Sequence, residues 1–185
     1  MSGLYTPVTV PADVTGEKAD LLAVLADQRN LFRVTLRDIT DDQARSRTTV
    51  SELTLGGLLK HLAWGERHSA TIISECDEHA ELDMAALAHA YDLLPAESLA
   101  YWLTEFDEGA AAFDAMIAGI DDLDARIPQP TAPWAPERSW LTVRGMVLNK
   151  IRETAHHCGH ADIIREALDG QTTMAALAEG QDWEF

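Results

Sequence analysis

Apolar residues recur along most of the chain at intervals of three and four, the spacing that lays them along one face of a helix. Four long stretches carry this pattern. The first spans residues 17–38, with Leu21, Leu22, Leu25, Leu31, Phe32 and Leu36 as its stripe. A turn follows at TDDQA, where Thr40 is placed to cap a helix start. The second spans residues 54–77, again with a threonine at its start, and carries Leu55, Leu58, Leu62, Ser69, Ile73 and Cys76 along its face. A loop with a short helix over residues 83–89 leads to the third, which runs from Pro95, tolerated in a first turn, to Ile120. The fourth runs from Thr142 to Asp169, and Gly170 supplies its stop.

Between the third and fourth helices, residues 128–140 (PQPTAPWAPERSW) hold four prolines. Proline lacks the amide donor and clashes with the preceding turn, so this stretch is predicted as a loop. No alternation of apolar and polar residues lasts long enough to predict a useful strand. Four helices of about 22 to 28 residues predict an all-α four-helix bundle. The bundle is assigned to residues 1–170, and residues 171–185 read as a loosely attached tail.

Composition narrows the function. A chain of 185 residues suits one domain with a real core, and 46% apolar with 24% charged residues is ordinary globular composition. No apolar run approaches the roughly 18 residues of a membrane span. The first twenty residues show neither a basic n-region nor an apolar h-region, so no signal peptide is expected. Lysine and arginine total 14 against 31 acidic residues, a net charge of −17 with no basic run. Nucleic acid and anionic membrane are therefore excluded as partners, because both are bound through clustered basic side chains. Cys76 and Cys158 both fall within helical patterns, which predicts two buried thiols in a reducing, cytoplasmic setting; one disulfide pairing is available to them.

The fourth helix carries the candidate chemistry. At about 100° per residue, Val143, Met146, Val147, Ile151, Cys158, Ala161, Ile164 and Leu168 define one apolar face. His157 falls inside that face and Glu153 at its edge, with His160 slightly further out and His156 towards solvent. Side chains four residues apart have Cβ atoms roughly 5–6 Å apart, so Glu153 and His157 can reach one ion. They can equally form a hydrogen-bonded ion pair. An ionised carboxylate among apolar neighbours requires a partner in either case. On the second helix His61 and His68 flank the stripe, about 10.5 Å apart along the axis, so at most one of them reaches the same ion. Trp64 lies near them and reads as a partly buried aromatic.

Other metal arrangements fail on spacing. Arg152 precedes Glu153, so there is no His-Glu-x-x-His motif. Glu153 and His156 make a single Glu-x-x-His, and the Glu75/Glu78 pair is only Glu-x-x-Glu, so a two-iron site is not indicated. One ion is the better reading.

The segments HLAWGERHS and ETAHHCGHADIIREALDG resemble the DinB/YfiT-like superfamily, in particular its actinobacterial branch that includes mycothiol-dependent maleylpyruvate isomerase. The resemblance covers residues 21–170 and agrees in helix count and order. It implies a four-helix bundle that holds a divalent metal, commonly zinc, on His61, Glu153 and His157, with His160 beside the site as a fourth ligand or a supporting residue. It implies an enzyme that uses a low-molecular-weight thiol such as mycothiol on a small electrophile, and it leaves room for a homodimer. The competing expectations are a metal-binding stress-response module without catalysis and a metal-free bundle with a buried Glu–His pair.

Overall fold

The structure, a computed structural model, describes residues 10, 11 and 13–179. Four long helices dominate it: α1 (Glu17–Thr35), α3 (Leu55–Glu75), α5 (Leu99–Gly119) and α6 (Val143–Asp169). Short helices α2 (Asp41–Arg45), α4 (Met84–Leu87) and α7 (Thr173–Ala178) fill the connections and the C-terminal end. The all-α bundle expected from the apolar stripes is the observed fold. No helix among the described residues is long and apolar enough to cross a membrane.

Helix starts are fixed by side-chain oxygens that take up otherwise unpaired backbone N–H groups. Thr54 Oγ1 accepts from Gly57 N at 3.1 Å, and Thr142 Oγ1 from Gly145 N at 2.9 Å. Thr40 forms a reciprocal capping box with Gln43. Helix α6 stops at Gly170, whose φ of 82° is left-handed and whose N–H closes on Glu166 O at 2.9 Å.

Some boundaries differ from the pattern. Helix α5 starts at Leu99 with Ser98 as its cap, because Ser98 accepts from Tyr101 N; Pro95 lies in the turn before it. Helix α1 ends at Thr35, where the chain turns through Leu36 and the left-handed Asp38. Helix α3 ends at Glu75, and Cys76 caps it in the left-handed region at φ 45°. That leaves Cys76 exposed and Cys158 half-buried, both free, so the expectation of two buried thiols is corrected.

A short antiparallel ribbon, β1 (Arg126–Pro128) with β2 (Trp140–Thr142), closes the proline-rich segment at its base, where no strand was expected. Three residues per strand are too few to show alternation. The loop is held by Arg138, which donates to the carbonyls of Ala80 and Gln129 at 2.8 and 2.6 Å. After Gly170, where only a tail was read, α7 folds back on α1 and buries Ala176. Residues 180–185 of that tail, and the leader reading of residues 1–9, lie outside the described residues.

Helix α3 packs most extensively on α5 and α1 on α6, with a lighter α3–α6 contact joining the two pairs. The core divides into two apolar halves. One holds Phe32, Leu55, Leu58, Leu59, Phe106 and Ile164; the other holds Leu25, Ile73, Phe113, Ile117, Val143 and Val147. Between them runs a buried polar layer of Arg29, Glu66, Lys150 and Thr154. Arg29 Nε and Nη2 each donate to a Glu66 oxygen at 2.9 Å, and Nη1 donates to both Asp114 oxygens at 2.9 Å.

Candidate metal centre between α3 and α6

The candidate site lies where α3 and α6 face each other. His61 enters from α3, two turns after the Thr54 cap, while Glu153 and His157 enter from the middle of α6. One ligand atom from each of the three can be chosen so that all lie within 4.8 Å of one another. His157 Nε2 is 3.7 Å from Glu153 Oε2, and the His61 and His157 rings meet edge to face with centroids 4.9 Å apart. These are the three residues singled out from the sequence and its resemblance.

The other histidines stand apart. His68 stacks on Trp64 at 4.4 Å and does not join the cluster. His156 is exposed, its ring against that of His160 at 4.5 Å. His160 Nδ1 lies 3.4 Å from His157 Nδ1, so one imidazole donates to the other. This holds the His157 ring and leaves its Nε2 towards Glu153, the usual arrangement behind a ligating histidine.

Burial sets the electrostatics. The His61 imidazole is pushed down to about 4, first by desolvation and then by His157 and Lys150. Burial likewise lowers His157, against the opposing pull of Glu153. Both rings are therefore neutral at neutral pH and carry lone pairs suited to a metal. Glu153 supplies the only anionic donor of the three, and its Oε1 accepts from Arg152 at 2.6 Å. One ring nitrogen of His61, Nε2, meets the Tyr91 hydroxyl at 3.1 Å, while Nδ1 is buried with no hydrogen-bond partner among the described residues. A buried ring nitrogen left without a partner is costly in a native interior. Two imidazoles, one carboxylate and an unsatisfied ring nitrogen fit a divalent ion of the zinc type.

Tyr91 and Lys150 were not among the sequence candidates. Tyr91 sits in the connection after α4, and no local periodicity points to it. Its approach is made possible by Gly57, where a Cβ would overlap the Tyr91 carbonyl. Lys150 did carry a signal: it lies three residues before Glu153 and seven before His157, on the same face of α6.

The chain's own thiols are not placed for chemistry here. Cys158 turns away from the cluster, donates to Gln28 O at 3.3 Å, and is pushed up to about 12 by burial. Cys76 is exposed at the far end of α3, about 22 Å along the axis from His61.

With this geometry in place, comparison with known proteins is informative. A crystal structure of a conserved protein from Enterococcus faecalis matches with a TM-score of 0.62 and 15% identity, covering 85% of this chain and 100% of that one. At that identity the likeness is one of fold. No curated protein matches significantly. The family model described as mycothiol-S-transferase matches residues 20–170, the span that holds all four long helices and the three clustered residues. The chain belongs to the mycothiol-S-transferase family, of DinB/YfiT-like fold.

Proposed function

We propose that the protein is a metal-dependent thiol transferase, which holds a divalent ion, zinc, on His61, Glu153 and His157 and joins mycothiol to a small electrophile. The reading is carried by one observation: two neutral imidazoles and a carboxylate converge between α3 and α6 in a chain of the mycothiol-S-transferase family. When bound, an ion with three protein donors keeps an open position and favours deprotonation of a thiol placed there.

The protein's own groups have separate tasks. His61 and His157 stay unprotonated because burial disfavours their cations. His160 and Tyr91 hold the two rings by hydrogen bonds. Glu153 offsets part of the positive charge. With the Cys158 thiol held protonated by desolvation and turned to Gln28, and Cys76 remote, the reacting sulfur is supplied from outside the chain. Such a thiol is kept reduced in the cytoplasm, which is the proposed location. Residues 1–170 are the proposed functional unit.

The test has two stages. Elemental analysis of protein purified without chelator should find close to one equivalent of zinc. Conjugation of mycothiol to a panel of electrophiles should then be fast for the holo protein and lost on chelation. Equal rates with and without metal would overturn the mechanism, and a metal-loaded protein inert across the panel would favour a binding module.

A further inference from the structure

A second pair of histidines lies outside the three clustered residues. His156 and His160 are four residues apart on α6, His156 exposed and His160 half-buried. Their rings meet edge to face, with centroids 4.5 Å apart and planes at 80°. Two imidazoles on adjacent positions of one ion, held by bonds of roughly 2.0–2.1 Å, have centroids about 4.5 Å apart. The helix thus keeps these i,i+4 neighbours at a chelating separation before any ion arrives. Among the described residues no hydrogen bond ties the His156 ring, and His160 is engaged through Nδ1, 3.4 Å from His157 Nδ1. Both His156 nitrogens and His160 Nε2 are left for an ion that approaches from solvent and completes its shell with water.

The donor set selects the ion. Two imidazoles without a carboxylate hold Cu2+ most tightly among the divalent first-row metals, in a tetragonal shell whose adjacent donors stand near 90°, and zinc more weakly. The pair is also linked to the three clustered residues. One proton lies between His157 Nδ1 and His160 Nδ1. A neutral imidazole carries a single N–H, so an ion on His157 Nε2 fixes that proton on His157 Nδ1. His160 then accepts at Nδ1 and carries its own proton on Nε2, the nitrogen that an outer ion needs.

We propose that His156 and His160 form a second, solvent-facing metal site that takes Cu2+, and that an ion on His61, Glu153 and His157 weakens it. The coupling rests on the proposed metal centre; the outer site does not. Linkage makes the effect reciprocal, so copper on the outer pair weakens the inner centre by the same factor.

The test is a Cu2+ titration of the metal-stripped full chain, followed by calorimetry and by electron spin-echo spectroscopy, which counts bound imidazoles. The wild type should take two equivalents, the weaker one held by two imidazoles. His156→Ala should weaken that equivalent by roughly a hundredfold, the scale of losing a second donor on the same scaffold, and leave the tighter one. The double variant Ala155→His/His156→Ala keeps the number of histidines but breaks the i,i+4 spacing, and should behave like His156→Ala. In His61→Ala, which lacks the inner centre, the outer pair should bind several-fold more tightly than the second equivalent of the wild type, the scale of one neutral hydrogen bond. Circular dichroism establishes that each variant is folded, and His61→Gln replaces His61→Ala if that protein is not. A weaker equivalent that survives His156→Ala, or that the displaced histidine restores, would overturn the outer site. Equal outer affinities with and without His61 would overturn the coupling. A wild type that takes one equivalent, lost in His156→Ala, would uphold the outer site and count against the inner centre alone.

Discussion

The phenol of Tyr91 lies flat on the imidazole of His61, with centroids 4.2 Å apart, an interplanar angle of 15° and its hydroxyl 3.1 Å from Nε2. The two residues are 30 apart in sequence and meet because Gly57, one turn before His61, has no Cβ to hold the Tyr91 backbone away. Orienting partners of this kind are typically worth 10–100-fold in metal affinity. Tyr91→Phe keeps the stack and removes the hydrogen bond, so zinc affinity by chelator competition should fall by roughly that factor or less, with little loss of stability. Gly57→Ala should cost more. Its methyl has backbone in its way, so the 91 segment must shift, and overpacking of this kind typically costs about 1–3 kcal/mol. Urea unfolding should show that loss, reduced by the better helix propensity of alanine.

The Arg29–Glu66 pair sits between the two apolar halves of the core, with Glu66 only 1% exposed. Removing one member of a buried pair leaves the other charge uncompensated, at about 3–5 kcal/mol. The two sides are not equivalent here, because Arg29 also holds Asp114. Arg29→Met strands Glu66 and should approach the full cost, whereas Glu66→Gln leaves Arg29 paired with Asp114 and should cost clearly less. Urea midpoints of the two variants provide the comparison. Equal losses would mean that Asp114 contributes nothing to compensating Arg29.

These contrasts mark what was legible in the sequence. The α6 register was, because a long amphipathic helix fixes the direction of each side chain, and rotation alone separated His157 from His156. Helix starts at Thr54 and Thr142 were legible because their side-chain oxygens act locally. Tyr91 was not, since its arrival at His61 depends on the missing Cβ of Gly57, which it meets only in the tertiary structure, rather than on any pattern around residue 91. Arg29 and Glu66 each look like surface charges on their own helices; only the packing of α1, α3 and α5 joins them. Cys76 seemed to extend the α3 stripe, yet the helix ends just before it, and the left-handed cap turns it to solvent.

Acid should destabilise the metal-free protein through its buried histidines. His61 titrates at about 4 in the folded chain, against roughly 6.5 when unfolded. Between those values the unfolded state binds the extra proton, so stability rises with pH across this window. The favourable difference is complete above about pH 6.5 and is lost as pH falls towards 4. His157 and His68 are shifted in the same direction by burial and add to the slope. Urea unfolding of the apo protein at pH 7, 6 and 5 should show this decline. His61→Gln should flatten it; an unchanged slope would remove His61 as a contributor.

The sharpest test of the metal centre compares two adjacent histidines. His157 is 6% exposed and points at Glu153 and His61, while His156 is exposed, its ring beside those of His157 and His160. His157→Ala should reduce bound zinc, measured by elemental analysis, to background. His156→Ala should leave it close to the wild-type level. Stability gives an independent readout, because an ion that binds only the native state raises the melting temperature in proportion to the logarithm of its concentration over Kd. Added zinc should therefore raise the melting temperature of the wild type and of His156→Ala, but not of His157→Ala. Stripping the ion should leave the helices intact in all three proteins, since two apolar half-cores hold the bundle without it. If both substitutions abolish the zinc response equally, the α6 histidines act as one cluster and the division between the buried and the exposed ring does not define the site.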